Sequence, residues 1–108
     1  MQVIKRDGTV VDYDRAKIAV AIGKANAEME EKERASGEEI ESILSYIEGK
    51  KKKRMLVEDI QDIIEEKLME QGHYELAKTY IIYRYNRALV RKANTTDEAI
   101  LSLISNSN

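Results

Sequence analysis

The chain contains no cysteine. That absence excludes a disulfide framework, a thiolate zinc site and any nucleophilic or radical-transfer role for a thiol within this segment. Histidine is nearly absent too: His73 is the single one, so a multi-histidine metal site is excluded and a histidine-based triad has one candidate. Its place between two helical patterns reads as a polar residue in a connecting turn. There is no proline, hence no proline-rich linker, and neither an internal repeat nor a low-complexity tract divides the chain. No glycine-rich phosphate loop of the Walker or dinucleotide-binding type occurs. No apolar run approaches the roughly 20 residues that a membrane span requires. The opening Met1-Gln2-Val3-Ile4-Lys5-Arg6-Asp7-Gly8 is too polar for a secretory signal, so a cytoplasmic setting is expected. With a net charge of −2, attraction for nucleic acid would have to come from local clusters and not from the overall field.

What is present suits one soluble domain. The 108 residues are 43% hydrophobic and 35% charged, enough for a single core. Val3-Ile4-Lys5-Arg6 and Thr9-Val10-Val11-Asp12-Tyr13 are short β-branched runs separated by Asp7-Gly8, which predicts a hairpin closed by a type I′ turn. Strand alternation puts Val3 with Lys5 on one face and Ile4 with Arg6 on the other. Asp14 is a candidate N-cap, followed by the stripe Ile18, Ile22, Ala25 and Met29 of a first helix ending near Glu30. Ser36 and Glu39 have capping-box spacing, and Ile40, Ile43, Leu44 and Ile47 trace a second helix up to Gly49. Met55-Leu56-Val57 reads as a third strand. Ile60, Ile63, Ile64 and Leu68 mark a third helix capped at Gly72. Leu76, Ala77, Tyr80, Ile81 and Ala88 give the apolar face of a fourth, antiparallel to the third, between about Tyr74 and Lys92. Thr95 and Glu98 repeat the capping-box spacing before Ala99-Ile100-Leu101-Ser102-Leu103-Ile104, which reads as the start of something larger.

The candidate chemistry is cationic. Lys5 and Arg6 close the first strand, and Arg84, Arg87 and Arg91 recur along the fourth helix. If the hairpin packs on the helices these side chains converge, and without a glycine loop a polyphosphate would have to be held by such charge-assisted contacts. The alternative is a solvated face paired with carboxylates. The run Lys50 to Arg54 reads as a solvated connection, and Glu38-Glu39 and Glu65-Glu66 read as solubilising charge. Tyr80 belongs to the core stripe, while either Tyr83 or Tyr85 faces a site on that helix.

Four blocks in order carry a resemblance. Val3-x-Lys5-Arg6-Asp7-Gly8, then Tyr13-Asp14-x-x-Lys17-Ile18-x-x-Ala21-Ile22, then Val57-Glu58-Asp59-Ile60-Gln61-Asp62, and last Ala77-x-x-Tyr80-Ile81-x-Tyr83-Arg84-x-x-Arg87 together resemble the ATP-cone, from residue 1 to about 92. The resemblance implies an α+β fold, a four-helix bundle covered by a small three-stranded mixed β-sheet, with nucleotide bound between sheet and helices. It further implies allosteric binding of ATP and dATP, accompanied by Mg²⁺. ATP would support and dATP would stop an attached ribonucleotide reductase in deoxyribonucleotide synthesis, commonly through subunit assembly.

Carried over by position, Val3 lines the base or sugar side of the pocket, and Lys5 and Arg6 hold phosphates. Asp14 and Lys17 contact the nucleoside, Val57 and Gln61 face the nucleotide, and Arg84 and Arg87 reach phosphates. No residue is expected to be catalytic or to hold a metal of its own. One departure is Val11, which stands where some members carry a glutamate that helps to read the base. Asn94-Thr95-Thr96-Asp97-Glu98-Ala99-Ile100 with the closing Ser105-Asn106-Ser107-Asn108 is similar to the stretch leading into the catalytic part of anaerobic, glycyl-radical ribonucleoside-triphosphate reductases, with aerobic reductases as the competing parent. The expected organisation is a regulatory domain over 1–93, and a linker with the start of a catalytic domain over 94–108. Expected partners are adenine nucleotides, the catalytic domain of the same parent chain and oligomer partners reached through the cone, with neither nucleic acid nor membrane. The rivals are a nucleic-acid-binding module built on the basic clusters and, least favoured, a small nucleotide hydrolase.

Overall fold

The computed structural model describes residues 1–87 and 89. Three short strands form one sheet in the order β2-β1-β3. β1 (Gln2–Ile4) pairs antiparallel with β2 (Val10–Asp12) and parallel with β3 (Arg54–Leu56). The register sets Val11, Val3 and Met55 side by side. Because strand side chains alternate, this row is the inner face: Val3 and Met55 are buried and Val11 packs against the core.

The hairpin is closed differently from the sequence expectation. Lys5 and Thr9 are already paired through Lys5 N–H to the Thr9 carbonyl at 2.8 Å, and Gly8 N–H donates to the Lys5 carbonyl at 2.9 Å. Gly8 has φ +88°, whereas Asp7 does not enter positive φ. A type I′ turn needs positive φ at both central residues, so this is a three-residue loop with glycine at its left-handed position. The Asp7 carboxylate explains the choice. It accepts the Thr9 N–H at 2.9 Å, an Asx-type contact that holds the ordinary turn conformation.

The helices begin where side chains cap them. Asp14 Oδ1 accepts from Ala16 N–H at 3.0 Å at the start of α1 (Arg15–Ala27). At the start of α2 (Gly37–Gly49) both halves of the capping box form, with Glu39 N–H to Ser36 Oγ at 3.1 Å and Ser36 N–H to Glu39 Oε1 at 2.9 Å. α1 stops three residues before the expected Glu30. The Asn26 amide bonds both backbone groups of Ala35, at 2.9 and 3.0 Å, and so draws the chain away toward α2. A single 3-10 turn, Glu31–Glu33, lies in that connection.

β3 passes directly into α3 (Val57–Glu70), so Val57 is the first helical residue and not the strand's last. α3 ends in a Schellman arrangement. His73 N–H donates to the Leu68 carbonyl and Gly72 N–H to that of Met69, both at 2.9 Å, with Gly72 at φ +85°. Residues 74–87 are helical and are called α4. This helix doubles back along α3. His73 is indeed a turn residue, and its Nε2 is hydrogen-bonded to Glu39 Oε2 at 2.9 Å, tying the α3–α4 turn to the start of α2.

Side chains from all four helices and the sheet meet in one cluster, in which Ile22, Ile43, Ile47, Ile64, Leu68 and Leu76 are fully buried. The expected stripes supply it. Ala88, the Thr95/Glu98 capping box and the division at 93/94 lie outside the described residues.

A β-carbon at Gly72 would meet nothing within 4 Å, so a substitution there tests backbone conformation alone. Gly72→Ala should cost about 1 kcal/mol and Gly72→Asn less, since asparagine tolerates the left-handed region. Ser36→Ala should also cost about 1 kcal/mol. Thermal melting checks all three, and equal losses for alanine and asparagine at position 72 would contradict the backbone explanation.

Candidate functional site

A cavity of about 640 Å³ opens between the inner face of the sheet, α1, the start of α3 and α4. That lies within the roughly 300–1,000 Å³ typical of small-molecule sites. Each element reaches it for a local reason. β1 contributes Val3 and, through alternation, Lys5 just past its end. α1 turns Lys17, Ala21 and Lys24 toward it at offsets of four and seven, one helical face. α3 gives Val57 and Gln61, again four apart, and α4 gives Tyr80, Tyr83, Arg84 and Arg87.

Eight of the nine expected positions therefore meet around one space: Val3, Lys5, Asp14, Lys17, Val57, Gln61, Arg84 and Arg87. Arg6 is not among them. It stands on the opposite side of the chain from Lys5, with Nε 3.2 Å from Glu58 Oε1 on the first turn of α3, where it clips the hairpin loop to that helix. Tyr83 lines the cavity, whereas Tyr85 is 63% exposed. Lys24 was missed in the sequence, although its spacing of seven from Lys17 is a usable signal.

The cavity has two unlike ends. Val3, Ile60, Ile64 and Tyr80 are buried, while Lys5, Lys17, Lys24 and Arg87 are exposed at the rim. Burial pushes the Tyr80 phenol up to about 12, with the Arg84 and Glu65 charges acting on it in opposite senses. Beside it Arg84 donates from Nη1 to Gln61 Oε1 at 2.7 Å and from Nη2 to Glu65 Oε1 at 2.6 Å. Glu65 thus departs from the solubilising role expected of it: its side chain is only 15% exposed and is paired with Arg84. Glu66 remains exposed. Asp12 and Asp14 also border the cavity, but the Asp14 carboxylate is engaged as the cap of α1.

The residues flanking Asp14 anchor this edge to α2. Tyr13 donates its hydroxyl to Glu48 Oε2 at 2.8 Å. Arg15 forks onto Glu41 at 2.8 and 3.0 Å and also donates from Nε to Glu48 at 2.9 Å. Behind this clamp lies a second concavity of about 790 Å³, lined by residues that include Met1, Gln2 and Lys51 to Lys53. It is the larger of the two, yet no buried side chain lines it. An apolar ring system would gain little there.

The family model described as the ATP cone domain matches residues 1–89. The chain belongs to the ATP-cone family. Relatives of this ATP-cone include the ribonucleoside-diphosphate reductase subunit alpha of Chlamydia trachomatis, 38% identical over 90% of this chain and 10% of the relative. The vitamin B12-dependent ribonucleoside-diphosphate reductase of Thermoplasma acidophilum is 36% identical over 84% and 12%. The anaerobic ribonucleoside-triphosphate reductase of Haemophilus influenzae is 32% identical over 98% and 15%. The chain thus spans about a tenth to a seventh of the length of these relatives, which are reductases of three kinds. Among the described residues no helix is long and apolar enough to cross a membrane, and no group of three histidines, cysteines or carboxylates is placed to hold a metal ion.

The Arg15 clamp predicts a pH dependence. The Arg15 guanidinium, helped by the Tyr13 hydroxyl, holds the Glu48 carboxyl below its usual range against the opposing effect of burial. A carboxyl depressed by folding contributes stability above its unfolded pKa and loses it as pH falls through the folded value. Urea unfolding between pH 7 and pH 3 should therefore show a smaller acid loss in Arg15→Met than in the parent chain. An identical loss in both would rule the clamp out as its source.

Proposed function

We propose that this ATP-cone binds ATP and dATP in the cavity between sheet and helices, and regulates the activity of a ribonucleotide reductase to which it is attached. The supporting observation is the gradient along that cavity, from a buried apolar end to a rim of four exposed cations. A purine gains from the first by burial, and a polyphosphate from the second by charge-assisted contacts. Val3, Val57, Gln61 and Tyr83 are assigned to the nucleoside, and Lys5, Lys24 and Arg87 to the phosphates; Lys17, expected at the nucleoside, is assigned to the phosphates as well because it is exposed among these cations. Asp14 sets the start of α1 beneath them.

Mg²⁺ would arrive with the triphosphate, whose oxygens supply most of its ligands; Asp12 is the cavity carboxylate free to join them. The segment itself carries no chemistry, and the oxidoreductase activity belongs to the parent chain. Similarity to three kinds of reductase supports a reductase parent of any of these classes. The anaerobic reading rests on the resemblance of residues 94–100 and of the closing Ser105-Asn106-Ser107-Asn108. Regulation follows from linkage: an effector shifts assembly or activity only by the difference in its affinity for the two states.

Calorimetric titration of the 108-residue chain with ATP, dATP, CTP and a DNA duplex, each with Mg²⁺, tests the reading. Submillimolar binding of ATP and dATP without turnover is expected. Preference for the duplex, or no heat with either adenine nucleotide, would overturn it. Lys5→Ala and Arg87→Ala should each weaken ATP about tenfold or more and leave adenosine within about twofold.

A further inference from the structure

Arg84 stands apart from the other cavity cations. Lys5, Lys17, Lys24 and Arg87 are exposed at the rim, whereas the Arg84 side chain is 21% exposed and its Nε is buried without a partner. Its two terminal nitrogens are already committed to Gln61 and Glu65. Glu65 does not border the cavity; it lies behind Arg84, one helical turn beyond Gln61 on α3, and cancels the guanidinium charge at 2.6 Å.

Cancellation changes what Arg84 can recognise. A polyphosphate needs uncompensated positive charge and would be repelled by the carboxylate behind the guanidinium. A neutral nucleoside edge is suited to a polar, charge-balanced cluster in a desolvated pocket, where the penalty for an unpaired group is high. Gln61 and Arg84 both line the cavity, and the Arg84 Nε still has a hydrogen to donate.

We propose that Glu65 is a positioning residue. Through its ion pair it keeps Arg84 out of the phosphate-binding set and makes it, with Gln61, a recognition element for the nucleoside. The inference rests on the nucleotide-binding reading above, but it assigns Arg84 to the opposite end of the ligand from that expected by resemblance.

The test compares ATP, adenosine and inorganic tripolyphosphate on the 108-residue chain and on Arg84→Gln, Glu65→Gln and Arg87→Gln, with circular dichroism to verify folding. Arg84→Gln should weaken ATP and adenosine by the same factor, about tenfold for one lost charged hydrogen bond, and leave tripolyphosphate unchanged. Glu65→Gln is nearly isosteric and frees the Arg84 charge. It should tighten tripolyphosphate several-fold and steepen its salt dependence while weakening adenosine, a reversal that a purely structural role would not produce. Arg87→Gln should do the opposite of Arg84→Gln, losing tripolyphosphate and sparing adenosine. If Arg84→Gln instead matches Arg87→Gln, or if Glu65→Gln weakens all three ligands alike, the assignment is wrong while nucleotide binding stands. Failure of the parent chain to bind ATP would remove the nucleotide reading and this inference together.

Discussion

β1 is hydrogen-bonded along both edges, and its parallel pairing with β3 is the constraint on which the rest of the molecule depends. The pair joins residues about fifty positions apart, with Val3 opposite Met55. No residue separates the end of β3 at Leu56 from the start of α3 at Val57. Setting the strand register therefore also sets where α3 begins, which brings Val57 and Gln61 to the same cavity as Val3. A slip of one residue would turn Val11, Val3 and Met55 outward. The core would lose its sheet face, and Lys5 would leave the cavity with it.

Charge is sorted around this frame. The chain is slightly acidic overall, yet its cavity rim carries four exposed cations. Arg6 is bound to Glu58 and Arg15 to Glu41 and Glu48, all outside the cavity. Arg84 is compensated by Glu65. Lys5, Lys17, Lys24 and Arg87 thus stand where a polyanion can reach them, and the paired arginines act as clips between elements. Exposed pairs of this kind contribute little stability, but they fix the orientation of the loop and helix ends that shape the site.

The sequence of Tyr13, Asp14 and Arg15 joins the site to the bundle. Asp14 caps α1 at the cavity border, while its two neighbours grip the carboxylates of α2. In the first turn of α2, Glu39 is held by the α3–α4 turn through His73. α2 does not line the cavity, yet it is connected to the start of the first helix of the site through Glu41 and Glu48 and to the turn between the remaining two through Glu39. A displacement of α1 by ligand has a contiguous physical route to the outer helix.

Local chemistry determined much of this protein without reference to any distant residue. The caps at Asp14 and Ser36, the glycine stop at Gly72 and the apolar stripes of the helices are properties of segments a few residues long, so they were legible one segment at a time. The four ordered blocks likewise sufficed to name the family, whereas the cation spacing by itself left a solvated face open. Other features depended on side-chain contacts that the pattern of a segment does not encode. The hairpin turn was misjudged because the Asp7 carboxylate competes for the Thr9 N–H, and the end of α1 because Asn26 binds Ala35. That Tyr83 and not Tyr85 faces the cavity and that Glu65 is paired with Arg84 follow from how α3 and α4 pack, and Arg6 turns to Glu58 because the hairpin loop meets the first turn of α3. A side chain's type and spacing fix what it can bond to, but only the folded chain decides which partner reaches it first.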